Sequence, residues 1–206
     1  MKRSLLALGA AMLLGACAGQ SVWAPDNEVT KAAYRHDGPP RLTLYTMINN
    51  NTGAGAHSSL MVNASQRVVF DPAGSFKHET LPERNDVVYG ITPQVADVYT
   101  RFHARETYHV KVQKLDVPPE VAEQAMQAVM SYGAVPPAQC SLSTSRVLSG
   151  LPGFGDIRTT WFPKQLAEQF AQVPGVTEEV LYEYDSDDNS KVLEEWDPER
   201  VARADS

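Results

Sequence analysis

The chain carries two cysteines, and their positions exclude a fold held together by internal disulfides. Cys17 follows a basic start and an apolar run from Leu5 to Ala16, and it ends a Leu-Gly-Ala-Cys lipobox, which predicts a lipoprotein signal peptide over residues 1–16. The run is shorter than the roughly 20 apolar residues of a membrane span, so cleavage is expected. Lipidation of Cys17 leaves Cys140 as the only free thiol, and the domain must be stabilised by a packed core.

Charge and composition restrict the classes of partner. The hydrophobic fraction of 43% and the charged fraction of 21% are typical of a globular domain. The formal net charge is −7, and loss of Lys2 and Arg3 with the signal peptide makes the mature chain more acidic. Nucleic-acid binding is set aside because it needs clustered basic residues for phosphate contacts. We expect a monomer attached to a membrane through a fatty acid, such as palmitate, on Cys17.

The distribution of Gly, Pro and charged residues divides the chain into four segments. Residues 1–16 are the predicted signal peptide, 17–40 a tether, 41–185 a single domain, and 186–206 a solvated acidic tail. Ala18 stands where an aspartate usually favours retention in the inner membrane. The expected location is therefore the cell envelope, on the outer membrane and facing the periplasm.

Apolar periodicity predicts a mixture of strands and helices in the domain. Strands are predicted over 41–47, 57–62, 67–71, 86–91, 107–113 and 176–184. Helices are predicted over 93–105, 118–132, 140–148 and 163–171. Strands and helices do not alternate regularly, so the pattern favours an α+β fold over a doubly wound sheet.

Cys140 and His57 are the candidate nucleophile and base. Cys140 lies at the start of a predicted helix, where the helix dipole favours the thiolate. His57 is the best placed of the five histidines because it opens a strand after a Gly/Ala-rich loop that permits close approach. Alternation places His57 and Met61 on one face of that strand and Leu60 on the other. A structural histidine and a buried, inert cysteine remain the alternative interpretation.

The remaining motifs give no second site. His103 and His109 flank a helix-to-strand turn among Arg101, Arg105 and Lys111, which indicates a solvated surface. No histidine pair has a ligand spacing such as His-Glu-x-x-His, and no glycine-rich loop ends in the Gly-Lys-Ser/Thr of a phosphate site. We therefore expect neither a metal nor another cofactor.

Four short segments resemble the permuted papain-like superfamily, which includes the NlpC-like cysteine hydrolases and their lecithin:retinol-acyltransferase-like relatives. The order of a histidine strand followed later by a cysteine helix is shared, and the likeness extends over about 42–184. The segments that carry it are Ala56–Val62, Val68–Pro72, Tyr132 with Gln139–Ser143, and Trp161–Ala167. The resemblance implies a papain-like α+β fold, with a central antiparallel sheet packed against the helix that bears the cysteine.

The resemblance also implies roles for individual residues. Cys140 would be the nucleophile and His57 the general base, while Gln139 would help the Cys140 N–H to bind the oxyanion. The family places a third polar group on the strand after the histidine strand, where this chain offers Phe70 and then Asp71. Asp71 is our candidate for orienting the imidazole. Two alternatives stay open, a register that puts Phe70 at that position and a turn-forming role for Asp71.

These inferences give one leading hypothesis for function and two others. The leading one is an envelope-anchored cysteine hydrolase or acyltransferase that acts on an amide or ester bond. Its candidate substrates are peptidoglycan peptides or lipid acyl chains. The first alternative is a non-catalytic lipoprotein that uses the same fold as a binding or assembly module, and the second is a redox sensor based on Cys140 alone.

Overall fold

The computed structural model describes residues 19–196, which form an α+β fold on an antiparallel sheet of seven strands. The strand order across the sheet is β4-β5-β3-β2-β1-β6-β7. The strands are β1 (Arg41–Asn49), β2 (Gly55–Asn63), β3 (Arg67–Phe70), β4 (Glu83–Arg84), β5 (Val87–Val88), β6 (Tyr108–Asp116) and β7 (Thr177–Leu181). The helices are α1 (Asp26–Ala32), α2 (Pro93–His103), α3 (Pro119–Met130), α4 (Cys140–Ser149), α5 (Pro163–Phe170) and α6 (Ser190–Trp196). The predicted α+β class with a central antiparallel sheet is confirmed.

The predicted strand over 86–91 is the element that differs most from the structure. Only Val87 and Val88 pair there, with β3 on one side and with β4 on the other. Asn85 and Asp86 connect β4 to β5 with φ values of 44° and 66°. Two consecutive left-handed residues form the tight hairpin turn that asparagine and aspartate tolerate best. A short hairpin therefore replaces the longer strand.

The sheet separates two hydrophobic clusters. Leu60 and Val62 of β2 pack in the cluster with α3, α4 and α5, whereas Met61 packs in the cluster with α2. The prediction that β2 alternates between two faces is therefore confirmed. Each large apolar side chain that is fully buried contributes about 1.5–3 kcal/mol, and both faces of the sheet supply such side chains.

Strand β3 stops short of the beginning of β2, which leaves a gap in the sheet. Its last pairing joins Phe70 to Leu60, so residues 57–59 of β2 pair with β1 alone. Asp71 follows β3 directly at this gap. Cys140 begins α4, and α4 packs against β2. The start of β2, the residue after β3 and the start of α4 are far apart in sequence, and they meet at this gap.

Both ends of the described chain contact the domain. Trp23 forms an isolated β-bridge with Arg84, although α1 itself buries no residue. In the C-terminal segment, α6 buries Val192 at 3% exposure in the α2 cluster, and Trp196 packs against that cluster. This differs from the expectation of a fully solvated tail. Seven residues span only two turns, which is too short for periodicity to reveal a buried face.

The predictions about the membrane concern residues that the structure does not cover. The signal peptide over 1–16 and the lipidation of Cys17 lie outside the described residues. Between residues 19 and 196, no helix combines the length and the apolar character needed to cross a membrane.

Candidate active site

His57 is held by a buried carboxylate at the gap in the sheet. Its Nε2 lies 2.7 Å from Oδ1 of Asp71, and Asp71 is 4% exposed. An ionised carboxylate can only accept a hydrogen bond, so Nε2 carries the proton and donates it. The nitrogen left to act on another group is Nδ1. The structure therefore brings the sequence-predicted base and its orienting group together.

Asp71 is in turn fixed by Tyr99 of α2, a residue that sequence reasoning missed. The Tyr99 hydroxyl lies 2.9 Å from Oδ1 of Asp71 and 2.6 Å from Oγ of Ser59. Tyr99 is fully buried, and burial together with the Asp71 charge raises the pKa of its hydroxyl well above the ordinary value. The hydroxyl therefore stays protonated and donates to the carboxylate. It prevents Asp71 from rotating away from His57.

Cys140 is the first residue of α4 and is 7% exposed. Burial alone would raise the pKa of its thiol, but His57 and the backbone N–H groups of Ser58 and Ser141 lower it below the ordinary value. Ser58 belongs to the part of β2 that β3 leaves unpaired. The gap thus makes a strand N–H available to the sulfur as well as a helix N-terminus.

The charges of the site favour an ion pair between thiolate and imidazolium. Burial would lower the pKa of His57, but the Asp71 carboxylate, assisted by Cys140, raises it to about 10. Burial would likewise raise the pKa of Asp71, but His57 holds it below the ordinary range. A protonated imidazole beside a thiol of lowered pKa is the resting state of an activated cysteine nucleophile.

Two loops that carry site residues are tied together by Asp86. One carboxylate oxygen accepts from the N–H of Ala73, 3.1 Å away, and the other from the N–H of Val135, 2.7 Å away. Ala73 lies just after Asp71, and Val135 lies in the loop that leads to Cys140. Asp86 is therefore a positioning residue for both loops.

Backbone strain occurs next to the candidate catalytic residues. Ala73 and Ala138 have φ values of 55° and 64°. A left-handed conformation costs a non-glycine residue about 1–2 kcal/mol, and such strain concentrates at functional sites. One strained alanine lies two residues after Asp71 and the other two residues before Cys140.

Gln139 is at the N-terminus of α4, but it gives no structural support for the oxyanion role. Its carbonyl oxygen accepts from N and Oγ of Ser143, at 2.9 Å and 2.8 Å. Its side chain makes no capping hydrogen bond at the start of α4. The Cys140 N–H is one of the first N–H groups of α4, which have no hydrogen-bond acceptor within the helix. It is therefore free to bind an oxyanion.

The Gly/Ala-rich loop before His57 does permit close approach, as the sequence predicted. At Gly55, an added Cβ would lie 2.5 Å from the backbone nitrogen of Lys164 and 3.0 Å from Cβ of Pro163. The start of β2 is therefore pressed against the start of α5. This contact leaves no room for a side chain and helps to fix the position of His57.

His103 was expected on a solvated surface, and the structure places it beside His57 instead. The two rings stack with centroids 6.0 Å apart. Nδ1 of His103 lies 2.8 Å from the Tyr99 carbonyl oxygen, while Nε2 is buried without a partner among the described residues. Burial lowers the pKa of His103 to about 4, so the ring is neutral. The available signal was its spacing of four residues from Tyr99 on the buried face of a helix.

His57, Asp71 and His103 also form a potential metal-ligand set. Their ligand atoms lie within 4.8 Å of one another. Coordination of a divalent cation by both His57 and Asp71 would have to replace the proton that they share. An ion at this position would compete with the orientation of His57 by Asp71.

A cavity of about 510 Å³ opens beside His57. The residues that line it include Met47, His57, Phe102, His103, Arg105 and Thr107. A volume of this size accommodates a small organic ligand or part of a larger one. The imidazole of His57 is therefore accessible to a ligand while its Nε2 stays bonded to Asp71.

No protein-family model, curated protein or solved structure matches the chain. Its chemistry is accordingly inferred from the geometry of the site. Cys140, His57 and Asp71 are the residues that this geometry assembles.

Proposed function

We propose that the protein is a cysteine hydrolase or acyltransferase of papain-like fold that acts on an amide or ester bond. The observation that carries the proposal is the position of His57, which bonds a buried carboxylate through one ring nitrogen and lowers the pKa of the Cys140 thiol against the effect of burial. A merely structural histidine would not need a thiol of lowered pKa beside it. The resemblance to the permuted papain-like superfamily supports the same assignment.

The proposed reaction follows from the charges of the three groups. The Cys140 thiolate attacks the carbonyl carbon, a C–S bond forms, and the Cys140 N–H stabilises the oxyanion. The His57 imidazolium then protonates the leaving amine or alcohol from Nδ1 as the scissile bond breaks. Neutral His57 next removes a proton from water or another acceptor, which attacks the thioester and releases Cys140. Asp71 keeps the imidazole in the productive orientation and tautomer throughout.

The proposal places this reaction in the cell envelope. A lipid on Cys17 would attach the mature chain to the outer membrane, facing the periplasm, with residues 17–40 as the connection. The two candidate substrate classes are peptidoglycan peptides and lipid acyl chains. The chain is proposed to act as a monomer.

Alkylation of Cys140 tests the proposed activation. In a chain with Cys17→Ser, iodoacetamide is expected to react with native Cys140 at pH values well below the ordinary thiol pKa of about 8.5. Reaction at these lower pH values is expected because the lowered pKa of Cys140 keeps the thiolate populated as the pH falls. The measurement is the labelling rate as a function of pH by mass spectrometry. The same chain in denaturant is the control and should titrate near the ordinary value.

Two results would contradict the proposal. One is a native midpoint equal to that of the denatured chain, and the other is a native Cys140 that does not react. Either result favours the non-catalytic binding or assembly module, in which the 7% exposure of Cys140 reflects burial in a core.

The proposed lipid anchor has its own test. Cys17→Ser is expected to abolish incorporation of a labelled fatty acid and to leave an unprocessed precursor, because the lipid attaches to that thiol. Cys140→Ser is the matched control and should be labelled like the wild type. Equal fatty-acid labelling of Cys17→Ser and the wild type would contradict the lipoprotein assignment.

A further inference from the structure

His103 has the hydrogen-bond pattern of a metal-binding histidine, and the proposed reaction does not use it. Its Nδ1 lies 2.8 Å from the Tyr99 carbonyl oxygen, which can only accept, so Nδ1 carries the proton and donates it. Nε2 therefore has a free lone pair, and it is buried without a hydrogen-bond partner among the described residues. A histidine that binds a metal through one nitrogen typically donates its other N–H to a backbone carbonyl in this way.

Two further ligands lie next to His103. One ligand atom each of His57, Asp71 and His103 lies within 4.8 Å of the other two. These residues come from β2, from the position after β3 and from α2, so no local spacing in the sequence reveals the set. Tyr99 orients two of them, because its carbonyl holds His103 and its hydroxyl donates to Asp71 at 2.9 Å. Carboxylates that bind metals are hydrogen-bonded in the same manner.

The donor atoms select the kind of ion. Two imidazole nitrogens and one carboxylate oxygen suit Zn²⁺, whereas Mg²⁺ and Ca²⁺ prefer oxygen ligands. Zn²⁺ takes four ligands, so three protein ligands leave one position for a water or another small ligand. His57 and His103 both line the cavity of about 510 Å³, which gives an ion a route of entry and space for that fourth ligand. An octahedral ion would need two more ligands, and Asp71, at 4% exposure, leaves little room for them.

We propose that His57, Asp71 and His103 bind one Zn²⁺ ion, which holds the Cys140 site in an inactive form. The ion replaces the proton between Nε2 of His57 and Oδ1 of Asp71, which lie 2.7 Å apart, and that proton leaves to solvent. Tetrahedral bonds of about 2.0–2.1 Å put two ligand atoms roughly 3.3 Å apart, so these two atoms must separate by about 0.6 Å. A small rotation of either side chain achieves this separation.

Inhibition follows from the proton transfers of the proposed function, and this part of the inference rests on that function. His57 must lose its Nδ1 proton when the leaving group departs, and the bare Nδ1 must then take a proton from water. With Zn²⁺ on Nε2, a bare Nδ1 would exist only in an imidazolate anion instead of a neutral ring. Nδ1 therefore keeps its proton and neither step proceeds. Metal binding itself does not depend on the proposed function.

Metal titration of the chain with Cys17→Ser, the parent chain, tests the site directly. Calorimetry is expected to show one tightly bound Zn²⁺ per chain, and the melting temperature should rise, whereas Mg²⁺ and Ca²⁺ at the same concentration do neither. With Co²⁺ in place of Zn²⁺, we expect the absorption spectrum of a tetrahedral site without a sulfur-to-metal charge-transfer band, because Cys140 is not a ligand. Absence of Zn²⁺ binding, or a thiolate band in the Co²⁺ spectrum, would overturn the inference and leave the proposed function standing.

Variants identify the ligands. His103→Asn keeps an N–H that can donate to the Tyr99 carbonyl but has no nitrogen at the Nε2 position. Its Zn²⁺ affinity should fall by at least about 100-fold, because even the loss of a group that only orients a ligand typically costs roughly 10–100-fold. His109→Asn is the matched control, since Nδ1 of His109 lies 2.7 Å from Oδ1 of Asn50, outside the set. Unchanged affinity in His103→Asn would overturn the inference.

Cys140→Ser distinguishes this site from simple capture of the ion by the thiol. It should bind Zn²⁺ like the parent chain, and a loss of affinity would mean that the sulfur is a ligand, against the inference. Because this comparison does not involve His103, it decides the question even if His103→Asn fails to fold.

Ester hydrolysis tests the inhibition. Steady-state hydrolysis of p-nitrophenyl acetate, an activated ester, should stop at saturating Zn²⁺ and recover when EDTA removes the ion. His103→Asn should keep its rate at a Zn²⁺ concentration that stops the parent chain. Equal rates of the parent chain with and without bound Zn²⁺ would refute the inhibition. If Zn²⁺ binds as expected but native Cys140 does not alkylate below the ordinary thiol pKa, the metal site stands and the proposed function fails.

Discussion

Asp71→Asn is expected to slow the alkylation of Cys140 at about pH 6 by roughly 100-fold, which corresponds to a rise of about two units in the thiol pKa. Asp71 is the main group that raises the pKa of His57 against the effect of burial. Without that charge the imidazole becomes neutral, and burial then also raises the pKa of Cys140. Loss of the Asp71 charge should also abolish turnover of any substrate, because the imidazolium that protonates the leaving group no longer forms.

Two further variants make this result specific. Tyr99→Phe removes the second hydrogen bond to Asp71 but keeps the carboxylate, so a smaller decrease in the alkylation rate is expected. Asp97→Asn changes an exposed carboxylate of α2 and should have no effect. The pH profile of alkylation and the melting temperature are measured for each variant. An unchanged pH midpoint in a folded Asp71→Asn variant would show that Asp71 does not set the charge of the site.

The elements of the site follow from local patterns in the sequence. Alternation in β2 assigns His57 and Met61 to the same side of the sheet, and the polar run after a proline pair places Cys140 at the start of a helix. The sequence also predicts Asp71 as the last residue of the next strand, which the structure ends one residue earlier at Phe70. The local patterns do not predict the gap in the sheet, because the gap depends on β3 ending opposite Leu60. The register between two strands is set by side-chain packing over the whole sheet.

The residues that surround His57, Asp71 and Cys140 were harder to predict for a different reason. Tyr99, His103 and Arg105 are polar or charged, and such side chains near the end of a helix are usually exposed. Their burial results from the packing of α2 and of the segment from Asp185 onward against the sheet, which are long-range contacts. A buried polar group is informative once its partners are known, and sequence alone does not supply those partners.

Gly74→Ala is expected to inactivate Cys140 almost as strongly as Asp71→Asn, although it changes no reactive group. An added Cβ at Gly74 would lie 2.5 Å from Oδ1 of Asp71 and would overlap Oδ2 and Cγ. The Gly74 N–H also donates to the Asp71 carbonyl at 2.9 Å, so the turn cannot open without losing this bond. The carboxylate must therefore leave its position against His57, whose pKa then falls.

Gly155→Ala is the matched control for this prediction, because a Cβ there meets no atom within 4 Å. It should leave both the alkylation rate and the melting temperature close to those of the wild type. Gly74→Ala should instead shift the pH midpoint of alkylation upward by about one to two units, in the direction of Asp71→Asn. The double variant Gly74→Ala with Asp71→Asn should be no slower than Asp71→Asn alone, since both changes remove one interaction. If Gly74→Ala alkylates like the wild type, the turn does not position Asp71, and the orientation of His57 must have another origin.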